Sequence, residues 1–147
     1  MKKKLISIAI KLLSKRNYSC HELSKKLLSF CEDHSEIDYT IELLKEKKFL
    51  SDEIFSERLV AKYINNYGSQ FIFLKMKFYG IDIELIEKNI SEIKETDFDR
   101  ALSLCEKKFG SNSNQAVSYS KKARFLASRG FSNEIVYKVL NDSKYDL

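Results

Sequence analysis

The chain has 147 residues, 44% of them hydrophobic, and its 26 Lys and Arg outnumber 21 Asp and Glu, with a pI near 9.0. This is enough apolar material to bury a core, yet no stretch approaches the roughly 20 consecutive apolar residues of a membrane-spanning helix. Three cysteines with no close pair exclude a disulfide framework and suit a reducing cytoplasm, while the lack of proline and the presence of only four glycines favour helix throughout, an all-α chain.

At the N-terminus Lys2, Lys3 and Lys4 precede the apolar run LISIAI, which imitates a secretion signal. Lys11 interrupts the run and no small-residue cleavage site follows, so a cytoplasmic protein is expected. Leu5, Ile8, Ala9 and Leu12 follow helical spacing, and after a break at Asn17 and Tyr18 so do Leu23, Leu27 and Phe30. Ser19 and Glu22 between them have capping-box spacing, in which hydroxyl and carboxylate each accept a backbone N–H at a helix start. Ile37, Ile41 and Leu44 mark a third helix.

A second group opens at Ser51 and Asp52 with a long helix bearing Phe55, Leu59, Tyr63 and Tyr67, which Gly68 should end. A shorter helix with Phe71, Leu74 and Phe78 on one face runs to Gly80, and Leu85, Ile86, Ile90 and Ile93 form the next. In the third group Thr96 and Asp99 have capping-box spacing ahead of Phe98, Ala101, Leu102, Cys105 and Phe109, and Gly110 ends that helix. The polar residues 111–114 read as a loop, followed by helices over 115–128 and 133–140.

One device is written twice. In GIDIELI (80–86) and GFSNEIV (130–136) a glycine suits the left-handed residue that closes a helix, Ile81 or Phe131 folds back on the last turn, and Asp82 or Ser132 caps the next helix. Gly68 and Gly110 punctuate the chain by the same logic. The expected architecture is therefore three tandem three-helix repeats, 1–48, 49–95 and 96–147, forming an elongated, curved body.

Charge is uneven: 11 Lys and Arg against 7 Asp and Glu in 1–48, 6 against 9 in 49–98, and 9 against 5 in 99–147. Basic ends suit a polyanion or an acidic protein surface. The candidate contacts are Lys11, Lys15, Arg16, Lys25, Lys26, Lys75, Lys77, Lys107, Lys108, Lys121, Lys122, Arg124 and Arg129, set against the plain alternative of solvated helix faces. Tyr63, Tyr67, Phe71, Phe73, Phe78 and Tyr79 suggest base stacking, but their spacing assigns most to the core, with Phe73 the expected exposed exception. Cys20, His21, Cys31 and His34 are zinc-ligand types, yet adjacent Cys20 and His21 diverge by about 100° on a helix, so no metal is expected. Carboxylate pairs such as Asp52 and Glu53 or Asp97 and Asp99 fall at helix starts, and no phosphate-binding glycine loop or nucleophile elbow is present, so no catalytic residue is assigned.

Three segments together resemble the RecX family of RecA regulators: IKLLSKRNYSCHELSKKLLSF at 10–30, FLSDEIFSERLVAKYINNYGS at 49–69, and KKARFLASRGFSNEIVYKVL at 121–140, whose Arg-Gly-Phe-Ser is the sharpest element. After Gly68, where that family usually carries a proline and several arginines, this chain has SQFIFLKMKF, with only Lys75 and Lys77 basic. The resemblance implies a three-repeat, all-helical, non-enzymatic protein that binds along the groove of the RecA filament on single-stranded DNA and damps its ATPase and strand exchange; a monomer without cofactor, with at most weak affinity for duplex DNA, is expected. A freestanding helical DNA-binding protein and a helical adaptor for an acidic protein surface are the alternatives.

Overall fold

The computed structural model describes residues 2–110 and 117–142, and every regular element among them is an α-helix. In chain order these are α1 (Lys2–Lys15), α2 (Cys20–Leu27), α3 (His34–Glu46), α4 (Asp52–Tyr63), α5 (Ser69–Phe78), α6 (Ile83–Lys94), α7 (Asp97–Phe109), α8 (Tyr119–Ser128) and α9 (Asn133–Asp142). The loop expected at 111–114 and the helix start expected at 115 lie outside the described residues. The helices pack as two compact units, Met1–Arg58 with Met76–Ile86, and Leu59–Lys75 with Glu87–Leu147.

In the first unit, Leu5 and Ala9 of α1, Leu23 and Leu27 of α2, and Ile37, Ile41 and Leu44 of α3 are buried together with Tyr18 and Leu50. Each fully buried Leu or Ile contributes about 1.5–3 kcal/mol. Phe30, expected on the α2 face, is instead exposed, because α2 ends at Leu27 and the chain turns through residues 28–30. The Ser19 and Glu22 capping box is present, and the Ser19 hydroxyl also donates to the Tyr79 carbonyl at 2.6 Å. Asp33, whose carboxylate accepts the Ser35 and Glu36 N–H groups, starts α3.

The second unit buries Ala101 and Cys105 of α7, Leu126 of α8, and Val136, Val139 and Leu140 of α9 around Phe131. Helix α5 exposes the side that its aromatic spacing assigns to the core: Leu74 is 64% and Phe78 75% exposed, while Ile72 and Met76 are fully buried. With apolar residues all around this helix, spacing alone cannot choose its inner face.

The helix-closing device works as read at two positions. Gly80 (φ 73°) and Gly130 (φ 88°) are left-handed, and the N–H groups of Ile81 and Phe131 reach back to the Met76 and Leu126 carbonyls. A third copy carries no glycine. Lys48 has φ 64°, and Phe49 N–H donates to the Leu44 carbonyl at 2.9 Å, closing α3 in the same way.

Gly68 departs from the expected role, since its φ is not positive. Its N–H donates to the Arg129 carbonyl at 2.7 Å, and Gln70 N–H donates to the Gly130 carbonyl at 3.1 Å. A Cβ on Gly68 would overlap the Gly130 backbone and lie 2.7 Å from the Phe131 ring, so glycine is required here for close approach rather than for a turn.

Thr96 is not a capping box either. It is helical in φ and ψ, and its hydroxyl donates to the Ile93 carbonyl and accepts from the Arg100 side chain rather than from an α7 backbone N–H. Asp97, 3% exposed, caps a different helix: its carboxylate accepts the N–H and hydroxyl of Ser69 at the start of α5 and pairs with Arg100. Arg100 in turn donates to the Ile64 and Tyr67 carbonyls just past the end of α4. Burial lowers the pKa of Arg100 and Asp97 opposes that shift.

Gly68→Ala is expected to lower unfolding free energy by about 1–3 kcal/mol through overpacking against the Gly130 backbone. Lys48→Gly should raise it by about 1 kcal/mol by relieving the left-handed lysine. Urea denaturation followed by circular dichroism measures both.

Candidate functional site

In the second unit, cations and aromatic rings alternate in one connected series. Tyr63, in the last turn of α4, meets the Phe71 ring of α5 edge-on at 5.2 Å, and Tyr67 stacks on Phe71 with centroids 3.9 Å apart. The Lys75 ammonium lies 5.7 Å from the Tyr63 centroid and 5.6 Å from that of Phe71, and Lys62 lies 5.2 Å from Tyr63. The Arg129 guanidinium is 5.2 Å from both Tyr67 and Phe125, and Lys108 continues the series 5.8 Å from Phe125. Phe109 meets Phe125 edge-on at 5.4 Å.

Local sequence explains each placement. Lys75 lies four residues after Phe71, and Phe125 four before Arg129, so each pair shares a helical face. The junction of the two stretches comes from the Gly68 and Gly130 contact, which brings the adjacent Tyr67 and Arg129 together. Arg129 also donates to the Asn66 carbonyl at 3.3 Å, so it is held in place from two sides.

Tyr63, Tyr67, Phe71 and Phe125 are all half-buried, neither core nor free surface. Rings in this position brace the helices with one edge and offer the rest to a ligand, while the ammonium groups beside them suit phosphate or carboxylate. Phe73, expected to be exposed, is half-buried, and the exposed ring is Phe78.

The remaining candidates divide by unit. In the first, Lys11 and Lys15 of α1 and Lys25 and Lys26 of α2 are exposed, and Arg16 stacks over Tyr18 at 3.7 Å while bonding Glu22 at 2.8 Å. That bond raises the Arg16 pKa above its ordinary value. Lys77, on α5, is exposed. In the second, Lys107, Lys121 and Arg124 are exposed, Lys121 one turn before Phe125, and the half-buried Lys122 lies near enough to Cys105 to oppose the rise that burial causes in its thiol pKa. Of the candidates, Lys75, Lys108 and Arg129 belong to the series.

Lys62, Phe109 and Phe125 are members that spacing alone passes over. The available signals are Lys62 next to Tyr63, and Phe125 one turn before Arg129.

Among the described residues no three His, Cys, Asp or Glu side chains are placed to hold a metal ion. Burial, reinforced by Asp52, pushes the Cys20 thiol up to about 12, so it is protonated and a poor nucleophile at neutral pH. Nor is any helix among the described residues long and apolar enough to cross a membrane.

Residues 95–140 match the family model of the third three-helix domain of RecX. The regulatory protein RecX of Herbaspirillum seropedicae is 31% identical over 138 residues, covering 94% of this chain and 90% of that protein. The regulatory protein RecX of Legionella pneumophila is 30% identical over 143 residues, covering 96% and 95%. The crystal structure of RecX from Lactobacillus salivarius has the same fold, with a TM-score of 0.82 over 98% of this chain and 97% of that one, at 22% identity.

Arg129→Lys keeps the charge but loses the planar group that meets two rings and a carbonyl together. It is expected to cost about 1 kcal/mol of stability by urea denaturation, with the Tyr67 environment changed in aromatic proton spectra.

Proposed function

The chain belongs to the RecX family, and from that premise we propose that it is a non-enzymatic regulator that binds the RecA filament on single-stranded DNA and lowers its ATPase and strand exchange. The observation that carries this reading to particular residues is the alternating series from Lys62 through Tyr63, Phe71, Tyr67 and Arg129 to Lys108. Ammonium groups beside half-exposed rings suit a strand that offers phosphates and bases together, or a filament face with carboxylates. Lys121, one turn before Phe125, extends the positive edge of this surface, with Arg124 beside it on α8.

In this reading the protein acts as a monomer in the cytoplasm, needs no cofactor, and uses α1–α3, α4–α6 and α7–α9 as its three repeats. Its effect comes from occupancy of the filament rather than turnover. The middle of the chain takes part through Lys62 and Lys75 on α4 and α5, despite lacking the arginines common in the family there.

RecA's single-strand-dependent ATPase, measured with increasing amounts of this protein, should fall at substoichiometric ratios. Lys121→Glu combined with Arg124→Glu should weaken that inhibition at least fivefold with helicity unchanged. Unchanged ATPase with the wild-type chain would reject the reading. Unchanged inhibition by the double variant would reject α8 as the contact. Where the ATPase does not fall, labelled-DNA anisotropy without RecA separates the remaining alternatives: tight duplex binding marks a freestanding DNA-binding protein, and no nucleic-acid affinity even at low salt marks an adaptor.

A further inference from the structure

A cavity of about 360 Å³ in the first unit brings together a separate set of cations and rings. One wall is the Tyr18 ring, covered by Arg16 at 3.7 Å. Arg16 is already committed, because Glu22 holds it at 2.8 Å while also accepting the Ser19 N–H in the capping box. The free positive charge at the cavity comes instead from Lys25 and Lys26, neither of which is ion-paired with a described residue.

The opposite chemistry comes from Phe78, 75% exposed. Its ring meets Tyr79 edge-on at 5.1 Å, and Tyr79 meets Phe55 in the same way at 5.1 Å, so Phe78 is braced from one side and bare on the rest. His21 lines the cavity as well, and its ring lies so close to Gly80 that a Cβ there would be 2.6 Å from His21 Cδ2. The cavity wall is thereby built on a glycine that cannot be replaced without moving it.

Two ammonium groups without an ion-pair partner among the described residues and a bare ring around one cavity select a ligand that is both anionic and planar. An inorganic anion would leave Phe78 unused, and an apolar molecule would leave both ammonium groups unused. The volume lies in the ~300–1,000 Å³ range of small-ligand clefts. We propose that this cavity is a second nucleic-acid site, taking one nucleotide of a single strand with its base on Phe78 and its phosphate at Lys25 and Lys26. It shares its ligand with the proposed function, but its test contains no RecA, so each can fail while the other stands.

The test is fluorescence anisotropy of a labelled oligothymidylate titrated with the full chain over a range of salt, together with competition by unlabelled oligothymidylate and by dTMP. Lys25→Glu with Lys26→Glu is expected to weaken binding at least tenfold and to flatten the log–log salt slope by about 0.7, the value for one phosphate of a single strand. Phe78→Ser is expected to weaken binding at least fivefold and leave the slope unchanged, since stacking carries no counterions. All three side chains are exposed, so circular dichroism should show unaltered helicity. No binding by the wild-type chain, or equal affinity among wild type and both variants, would overturn the proposal. Competition by dTMP as effective as by the strand at equal nucleotide concentration would overturn the strand as its ligand, whereas competition by the strand alone would support it.

Discussion

Two bare backbones meeting at Gly68 and Gly130 are the contact on which the second unit's surface depends. The Gly68 N–H and Arg129 carbonyl are 2.7 Å apart, a hydrogen bond between segments more than sixty residues apart in sequence, formed where no Cβ fits. Gly130 is bare for a related reason, since a Cβ there would lie 2.6 Å from the Phe71 backbone nitrogen. Everything placed on the rings follows from this crossing: Tyr67 precedes one glycine, Arg129 precedes the other, and Phe71 packs over the second. The alternating series is thus the outer edge of a backbone contact, which is why half-buried rings rather than flexible lysines alone define it.

Arg100 and Arg129 do something the lysines of this unit do not. Helix α4 ends at Tyr63 without a left-handed closing residue, and the carbonyls beyond it need partners. Arg100 takes those of Ile64 and Tyr67, and Arg129 takes that of Asn66, while the Asp97 carboxylate that holds Arg100 also caps α5. A buried ion pair of this kind is weak evidence for stability, since desolvation offsets much of its attraction. Its value is geometric: one carboxylate and two guanidinium groups fix the end of one helix and the start of the next, and with them the turn that carries Tyr67. The charges left for a partner are therefore chiefly lysines, Lys62, Lys75 and Lys108 among them.

Features governed by neighbours along the chain are legible in the amino-acid sequence alone. The Ser19 and Glu22 box, the left-handed Gly80 and Gly130, the Ser132 cap, whose hydroxyl accepts the Ile135 N–H at 3.2 Å, and the apolar faces of α2, α3, α7 and α9 all depend on residues within about five positions. Features that escape such a reading depend on distant partners. Asp97 sits at a helix start, as a cap should, but serves Ser69, 28 residues away. Gly68 has the sequence setting of a helix stop and is a crossing point. Lys48 closes α3 without the glycine that would announce it, and α5, apolar on every side, gives spacing nothing with which to choose between Phe78 and Ile72. At the candidate site, the basic residues can be listed from the sequence, but grouping them requires knowing which rings lie between them.

The tethering of Arg129 also bears on the entropy of recognition. A solvent-exposed lysine gives up as much as about 2 kcal/mol of rotamer freedom when an anion fixes it, whereas an arginine already held by a carbonyl and two rings has surrendered most of that freedom on folding. The series therefore combines one preorganised cation at its centre with mobile ones at its ends. Its middle should hold a ligand in register, and its ends should draw the ligand in.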